Sequence, residues 1–301
     1  MHPRNLGDLI YSLWGIKNVC EKLNCKAVIY QWLNREAFYY EGAKHPTRGD
    51  NGSEVTMNQK MFDMVKPLIL SLPYVEDFLP YQGETVHFNL DRISHMNINI
   101  PFGEIRNWIG YVYPELQADS GEQVIDPFGV WMQVPLEKYK DIKSSIIVNR
   151  TSRYRNPHIH YGLLNKYAQS HKIYFAGTIE EFSEFSGFVA NAEYLKVDDF
   201  LELAFYISQC KLFIGNQSFC FALAEAMKTP RVLEVCSFAP NVIPVGKHAY
   251  QYYDKECFEV ILDMLLLSNR DENLKDYPIE QFEKDIATTC ETADKQENDG
   301  C

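Results

Sequence analysis

Between Leu9 and Leu23 the apolar residues fall at 9, 10, 13, 16, 19, 20 and 23. That three-to-four spacing predicts a helix with one buried face. The run "KAVIYQW" (26–32) is β-rich and predicts a strand directly after it. Residues 41–56, "EGAKHPTRGDNGSEVT", are turn formers and charges and read as a loop. "MNQKMFDMVKPLILSL" predicts a helix interrupted or kinked at Pro67. "ETVHFNLD" (84–91) reads as a further strand, and 102–116 as a helix ending at "YPEL".

The second half has a cleaner rhythm. Strands are predicted at "SSIIVNR" (144–150), "KIYFAGT" (172–178), "KLFIGNQ" (211–217) and "RVLEVC" (231–236). Helices are predicted at "YGLLNKYAQS", "DDFLELAFYISQC" (198–210), "SFCFALAEAMKT" and "DKECFEVILDMLLLSN". Strands that are apolar almost throughout, alternating with helices, imply a parallel sheet covered on both faces, so the fold class is α/β. "DPFGVWMQVP" (126–135) lacks regular pattern and is the predicted boundary between an N-terminal domain over 1–130 and a C-terminal one over 131–284. Residues 285–301 have little to bury and are expected to form a disordered tail.

Composition narrows the functional classes. With 41 Asp and Glu against 29 Lys and Arg, the formal net charge is −12 over 301 residues. Such a chain repels phosphate backbones, so nucleic acid is excluded as a general partner, although a local basic pocket could hold a nucleotide. The eight cysteines form no C-x-x-C pair, and Cys210, Cys220 and Cys236 sit in apolar runs. They read as buried thiols of a reducing compartment. No signal peptide is evident and the apolar runs are too short to span a bilayer, so a cytoplasmic protein is expected.

The familiar chemical signatures are absent: no G-x-G-x-x-G, Walker loop, H-E-x-x-H or G-x-S-x-G occurs. Three polar loops remain. In "NLGDL", Gly7 permits a tight turn and Asp8 reads either as a general base or as a helix cap. In "VNRTSRYRN" (148–156), Thr151 and Ser152 with Arg150 or Arg153 could hold a diphosphate, or the loop could simply be solvated. In "IGNQSFCFALAEA" (214–226), Gly215 ends a strand. Asn216, Gln217 and Ser218 then stand at a helix start, where unpaired N–H groups suit an anion or where Ser218 merely caps. Glu225 reads as a solvated residue or a ribose contact. His158 and His160 lack the companions a metal site needs, so no metal is expected.

Two of these loops, in order, resemble a known family. "NLGDLIYSLWGIK" resembles the N-terminal loop and helix of glycosyltransferase family 9, the lipopolysaccharide heptosyltransferase type. "CKLFIGNQSFCFALAEAMKTPRVLEV" resembles its donor loop. The resemblance implies a GT-B architecture, two Rossmann-like domains with parallel sheets facing across a cleft, the acceptor side N-terminal and the nucleotide-sugar side C-terminal. It implies sugar transfer from a nucleoside-diphosphate sugar to a hydroxyl of a glycan, lipid-linked or protein acceptor, inverting and without metal or other cofactor, in polysaccharide assembly, by a protein able to lie peripherally at a membrane. Asp8 then maps to the base. Arg150, Thr151, Ser152, Arg153, Asn216, Gln217, Ser218 and Glu225 map to the donor side, with Gly7 and Gly215 shaping the loops. The family's "D-T-G-x-x-H" is replaced here by "GNQSFCF". A nucleotide-sugar epimerase and a non-catalytic nucleotide-sugar-binding protein are the alternatives on the same architecture.

Overall fold

The computed structural model describes residues 1–37, 45, 47–114, 129–135 and 142–267. The chain falls into two compact units, Met1–Glu259 and Val260–Cys301, and of the second only 260–267 are described. The predicted tail therefore lies outside the described residues, as do residues 126–128 of the predicted boundary segment.

The predicted opening helix is α1 (Leu6–Leu23), closed by Asn24 in the left-handed region at φ 48°. Before it stands not a strand but a single parallel bridge of His2 to Gln31. His2 N–H donates to the Tyr30 carbonyl at 2.7 Å, and Trp32 N–H to the His2 carbonyl at 2.9 Å. Strand β1 (Ala27–Gln31) pairs in parallel with β2 (Val75–Pro80), and α2 (Gln59–Leu70) crosses between them. The α2 start is capped by Asn58, whose side chain accepts from Met61 N–H.

Two expectations for this half change, and one strand is added. The strand expected at 84–91 is instead irregular chain leading into a 3₁₀ turn at Leu90–His95, because Asn89 accepts from Asp91 N–H and caps that turn. Strand β2 lies earlier, in "VEDFLP", where burial alternates poorly. The helix expected at 102–116 shrinks to a 3₁₀ turn at Ile105–Asn107 and the five-residue α3 (Trp108–Val112).

The C-terminal half forms a six-stranded, wholly parallel sheet in the order β5-β4-β3-β6-β7-β8. Its strands are β3 (Ile146–Asn149), β4 (Ile173–Phe175), β5 (Glu193–Tyr194), β6 (Leu212–Asn216), β7 (Arg231–Glu234) and β8 (Ala249–Tyr252). Counted from its own first strand this is 3-2-1-4-5-6, the doubly wound order, with its switch point between β3 and β6. Helices α4 (Ile179–Ser186), α5 (Phe200–Gln209), α6 (Phe219–Met227) and α7 (Lys255–Leu266) connect or follow the strands. The helix expected at 161–170 is a shorter 3₁₀ segment, Tyr161–Lys166. Helix α4, unforeseen, is announced by a complete capping box between Thr178 and Glu181.

One apolar core runs through both halves, since α1, α2 and β2 share it with β6, α5 and α6. Trp131, 2% exposed, ties them. Its indole N–H donates to the Ile10 carbonyl at 3.0 Å and its backbone N–H to the Ala226 carbonyl at 3.2 Å. Its carbonyl accepts from the Tyr74 hydroxyl at 2.8 Å. Gly215 is demanded by the sheet, because a Cβ there would meet the Asn149 carbonyl oxygen of β3 at 2.7 Å.

Candidate active site

At the carboxyl ends of β3, β4, β5 and β6 opens a cavity of about 480 Å³. This is where open parallel sheets bind ligands. From the N-terminal half it is lined by Asn5, Gly7, Asp8, Tyr11, His45, Thr47 and Lys60, among others. From the sheet it takes Asn149, Thr151, Arg153 and Tyr154 after β3, Gly177, Thr178 and Glu181 after β4, Lys196 after β5, and Gln217 and Ser218 after β6.

Two helix starts meet here. A Cβ on Gly7, in the first turn of α1, would lie 3.7 Å from both the backbone N and the Cα of Phe219, the first residue of α6. Glycine lets the two ends touch without a side chain between them. Each end carries unpaired N–H groups and the positive pole of its helix, so their fields add at the cavity. Ser218 caps α6, accepting from Phe221 N–H at 3.1 Å, while also lining the cavity.

Asp8 occupies the first turn of α1 but is not its cap; Asn5 holds that position, with no side-chain cap bond. Asp8 lines the cavity, half-buried. Burial raises its carboxyl above the ordinary value, and Arg4, the Asn5 backbone and Arg153 pull it back only in part. Arg153 comes from the opposite half, stacked 5.5 Å over the Tyr154 ring. It also bears on His45, which burial, first of all, lowers to about 4. His45 Nδ1 accepts from Thr47 N–H at 3.1 Å, so the neutral ring carries its proton on Nε2.

The remaining expected residues divide. Thr151 lines the cavity, whereas Ser152 is exposed at the rim, its N–H donating to Glu181 Oε1 at 3.1 Å. Asn216 is fully buried behind the loop. Its Oδ1 accepts from Thr151 N–H at 3.0 Å, and its Nδ2 donates to the carbonyls of Thr151 and Arg153 at 3.0 and 2.7 Å. It therefore shapes the anion loop instead of facing the cavity. Arg150 turns the other way, as a two-pronged partner of buried Glu234 at 2.8 and 2.9 Å, and is absent from the cavity wall. Glu225 lies in the interior with Arg231, with Lys228 at 2.8 Å and with Arg106 of the N-terminal half at 3.6 Å. It is neither solvated nor near the cavity, because α6 carries it one turn past the site into the shared core.

Residues missed in the sequence include Lys196, Glu181, His45 and Asn149. "AGT" (176–178) was a readable glycine turn after a strand, but β5 is only two residues long and gave no signal for Lys196. His45 lines the cavity from outside any helix or strand, held by Thr47, Arg48 and Glu54. Among the described residues no group of three or more His, Cys, Asp or Glu is placed to hold a metal ion. His158 and His160 are both exposed. Among the described residues no helix is long and apolar enough to cross a membrane.

No protein-family model matches the sequence, and a search of curated proteins finds no match. Solved structures do match over nearly the whole chain. The E. coli ADP-heptose lipopolysaccharide heptosyltransferase II is 13% identical with a TM-score of 0.52, over 89% of this chain and 99% of that one. A glycosyltransferase family 9 protein of Veillonella parvula is 12% identical with a TM-score of 0.53, over 91% and 89%. The E. coli heptosyltransferase WaaC, solved with ADP, is 9% identical with a TM-score of 0.54, over 88% and 100%. The chain thus shares the α/β, parallel-sheet fold of the GT-B heptosyltransferases of glycosyltransferase family 9.

Proposed function

We propose that the protein is a glycosyltransferase that moves a sugar from a nucleoside-diphosphate sugar to a hydroxyl acceptor, with inversion and without a metal ion. The observation that carries this reading is the meeting of two helix starts, Arg153 and Asp8 around one cavity at the switch point of the sheet. The departing nucleoside diphosphate gains negative charge as its bond to the sugar breaks. The α6 start, the α1 start and the Arg153 guanidinium offset that charge in place. Asp8, in the first turn of α1, takes the proton of the acceptor hydroxyl as that oxygen attacks the far face of the sugar. A raised carboxyl suits a base, since once ionised it accepts a proton more readily than an ordinary aspartate. The acceptor is a glycan, a lipid-linked saccharide or a protein hydroxyl presented from the His45, Thr47 and Lys60 side. The buried, unpaired thiols of Cys210, Cys220 and Cys236 fit a reducing cytoplasm.

The test is product analysis. The protein is incubated with nucleoside-diphosphate sugars and a panel of acceptors, with and without chelator, and the anomeric configuration of any product is read by NMR. Transfer with inversion, unaffected by chelator, is the expected result. Conversion of the donor with no acceptor present would favour an epimerase, and binding without turnover a degenerate binding protein.

A further inference from the structure

Gln217 and Asn241 form a hydrogen-bond chain whose direction is set at its far end. Asn241, 5% exposed in the loop after β7, donates through Nδ2 to the Ile100 carbonyl of the N-terminal half at 3.1 Å. Its backbone carbonyl accepts from Ile105 N–H at 3.1 Å, so the residue is clasped twice by the same segment. A carbonyl can only accept, which fixes the Asn241 amide with Oδ1 turned toward Gln217. Gln217 Nε2 donates to that Oδ1 at 2.6 Å. One N–H of the Gln217 amide is thereby engaged, which turns its nitrogen toward Asn241 and its Oε1, an acceptor, the other way, and Gln217 is part of the cavity wall.

Gln217 precedes Ser218 and Phe219, the residues that abut the Gly7–Asp8 turn. Gln217 therefore stands beside the place where the two helix starts meet. A helix start and an arginine favour anions in this cavity, whereas an acceptor oxygen calls for a ligand group that brings its own proton.

Resting on the glycosyl-transfer reading, we propose that Gln217 Oε1 accepts from a hydroxyl of the transferred sugar and that Asn241 is the positioning residue that holds it so. A free Gln217 amide could turn over and offer N–H instead. The Asn241–Ile100 anchor removes that option and makes the site selective for a donor sugar with a hydroxyl at this point.

The experiment compares dissociation constants of UDP, GDP, ADP and CDP with those of their common hexose conjugates. It uses wild type, Gln217→Ala, Asn241→Ala and the double variant. The readout is the affinity the sugar adds over the bare diphosphate. Each single variant is expected to cut that gain about threefold to tenfold, the worth of one hydrogen bond, while bare diphosphate affinity holds. The double variant should lose no more than Gln217→Ala alone, because both act through one contact. Independent losses that multiply, or equal weakening of bare diphosphate and conjugate, would overturn the role given to Asn241. If no conjugate binds wild type at all, it is the glycosyl-transfer reading that fails, an outcome distinct from a wild-type sugar gain that the variants leave intact.

Discussion

Asp8 carries an energetic cost that identifies it. Its folded-state carboxyl sits above the ordinary value of 3.8 because burial outweighs Arg4, the Asn5 backbone and Arg153. Between those two values the folded chain binds more protons than the unfolded one, so this group's contribution to stability is full at low pH and is lost as pH rises through the folded value. Asp8→Asn removes a charge that is disfavoured at pH 7. It should raise the melting temperature there while cutting kcat by about 10²–10⁴-fold, and calorimetry beside a turnover assay measures both. The acid limb of the wild-type kcat/KM profile should lie above pH 3.8 for the same reason. Arg153→Ala should weaken nucleoside-diphosphate binding about tenfold to a hundredfold, the worth of a charged hydrogen bond, with little change in melting temperature. At this scale the sequence was partly readable. A glycine–aspartate pair before an apolar helix and a loop rich in arginine and hydroxyls both reach the cavity. What could not be read was which arginine faces inward, since Arg150 and Arg153 differ only in where Glu234 lies, 84 residues downstream of Arg150.

Among elements, the ends matter more than the middles. Helix α6 starts at the cavity through the Ser218 cap and ends in a buried charge cluster around Glu225. Ser218→Ala should cost about 1 kcal/mol in urea unfolding, the usual worth of such a cap. Arg150→Ala should cost far more, about 3–5 kcal/mol, because Glu234 would be left charged and fully buried with its guanidinium gone. That contrast separates scaffold from site: Arg150→Ala should depress stability first, Arg153→Ala affinity first. Strands buried at every position, such as β3 and β6, and helices with a clear buried face such as α1, were legible because pattern and burial coincide in them. Strand β5, with two exposed residues, and the 3₁₀ turn that replaces the strand expected at 84–91 were not, because local side-chain caps and sheet-edge pairing decide them.

For the molecule as a whole, the notable feature is how closely the halves are joined. The core is continuous across them, Trp131 hydrogen-bonds to both, and Arg106 enters the Glu225 cluster from the N-terminal side. The shared core therefore brings Asp8 of one half and Arg153 of the other to the wall of one cavity. A parallel sheet could be expected from strand–helix alternation, and its Rossmann-like type from the family resemblance, but the joining of the halves could not, since it depends on residues such as Ile10, Trp131 and Ala226 that are far apart in the chain. The most direct test of the central claim is a thermal-shift series with UDP, GDP, ADP, CDP and their sugar conjugates on wild type and Arg153→Ala. A ligand that binds only the folded state must raise the melting temperature. The account predicts a rise with at least one diphosphate, a larger rise with its sugar conjugate, and loss of most of both in Arg153→Ala; a flat response to every nucleotide, or a rise that Arg153→Ala leaves unchanged, would contradict it.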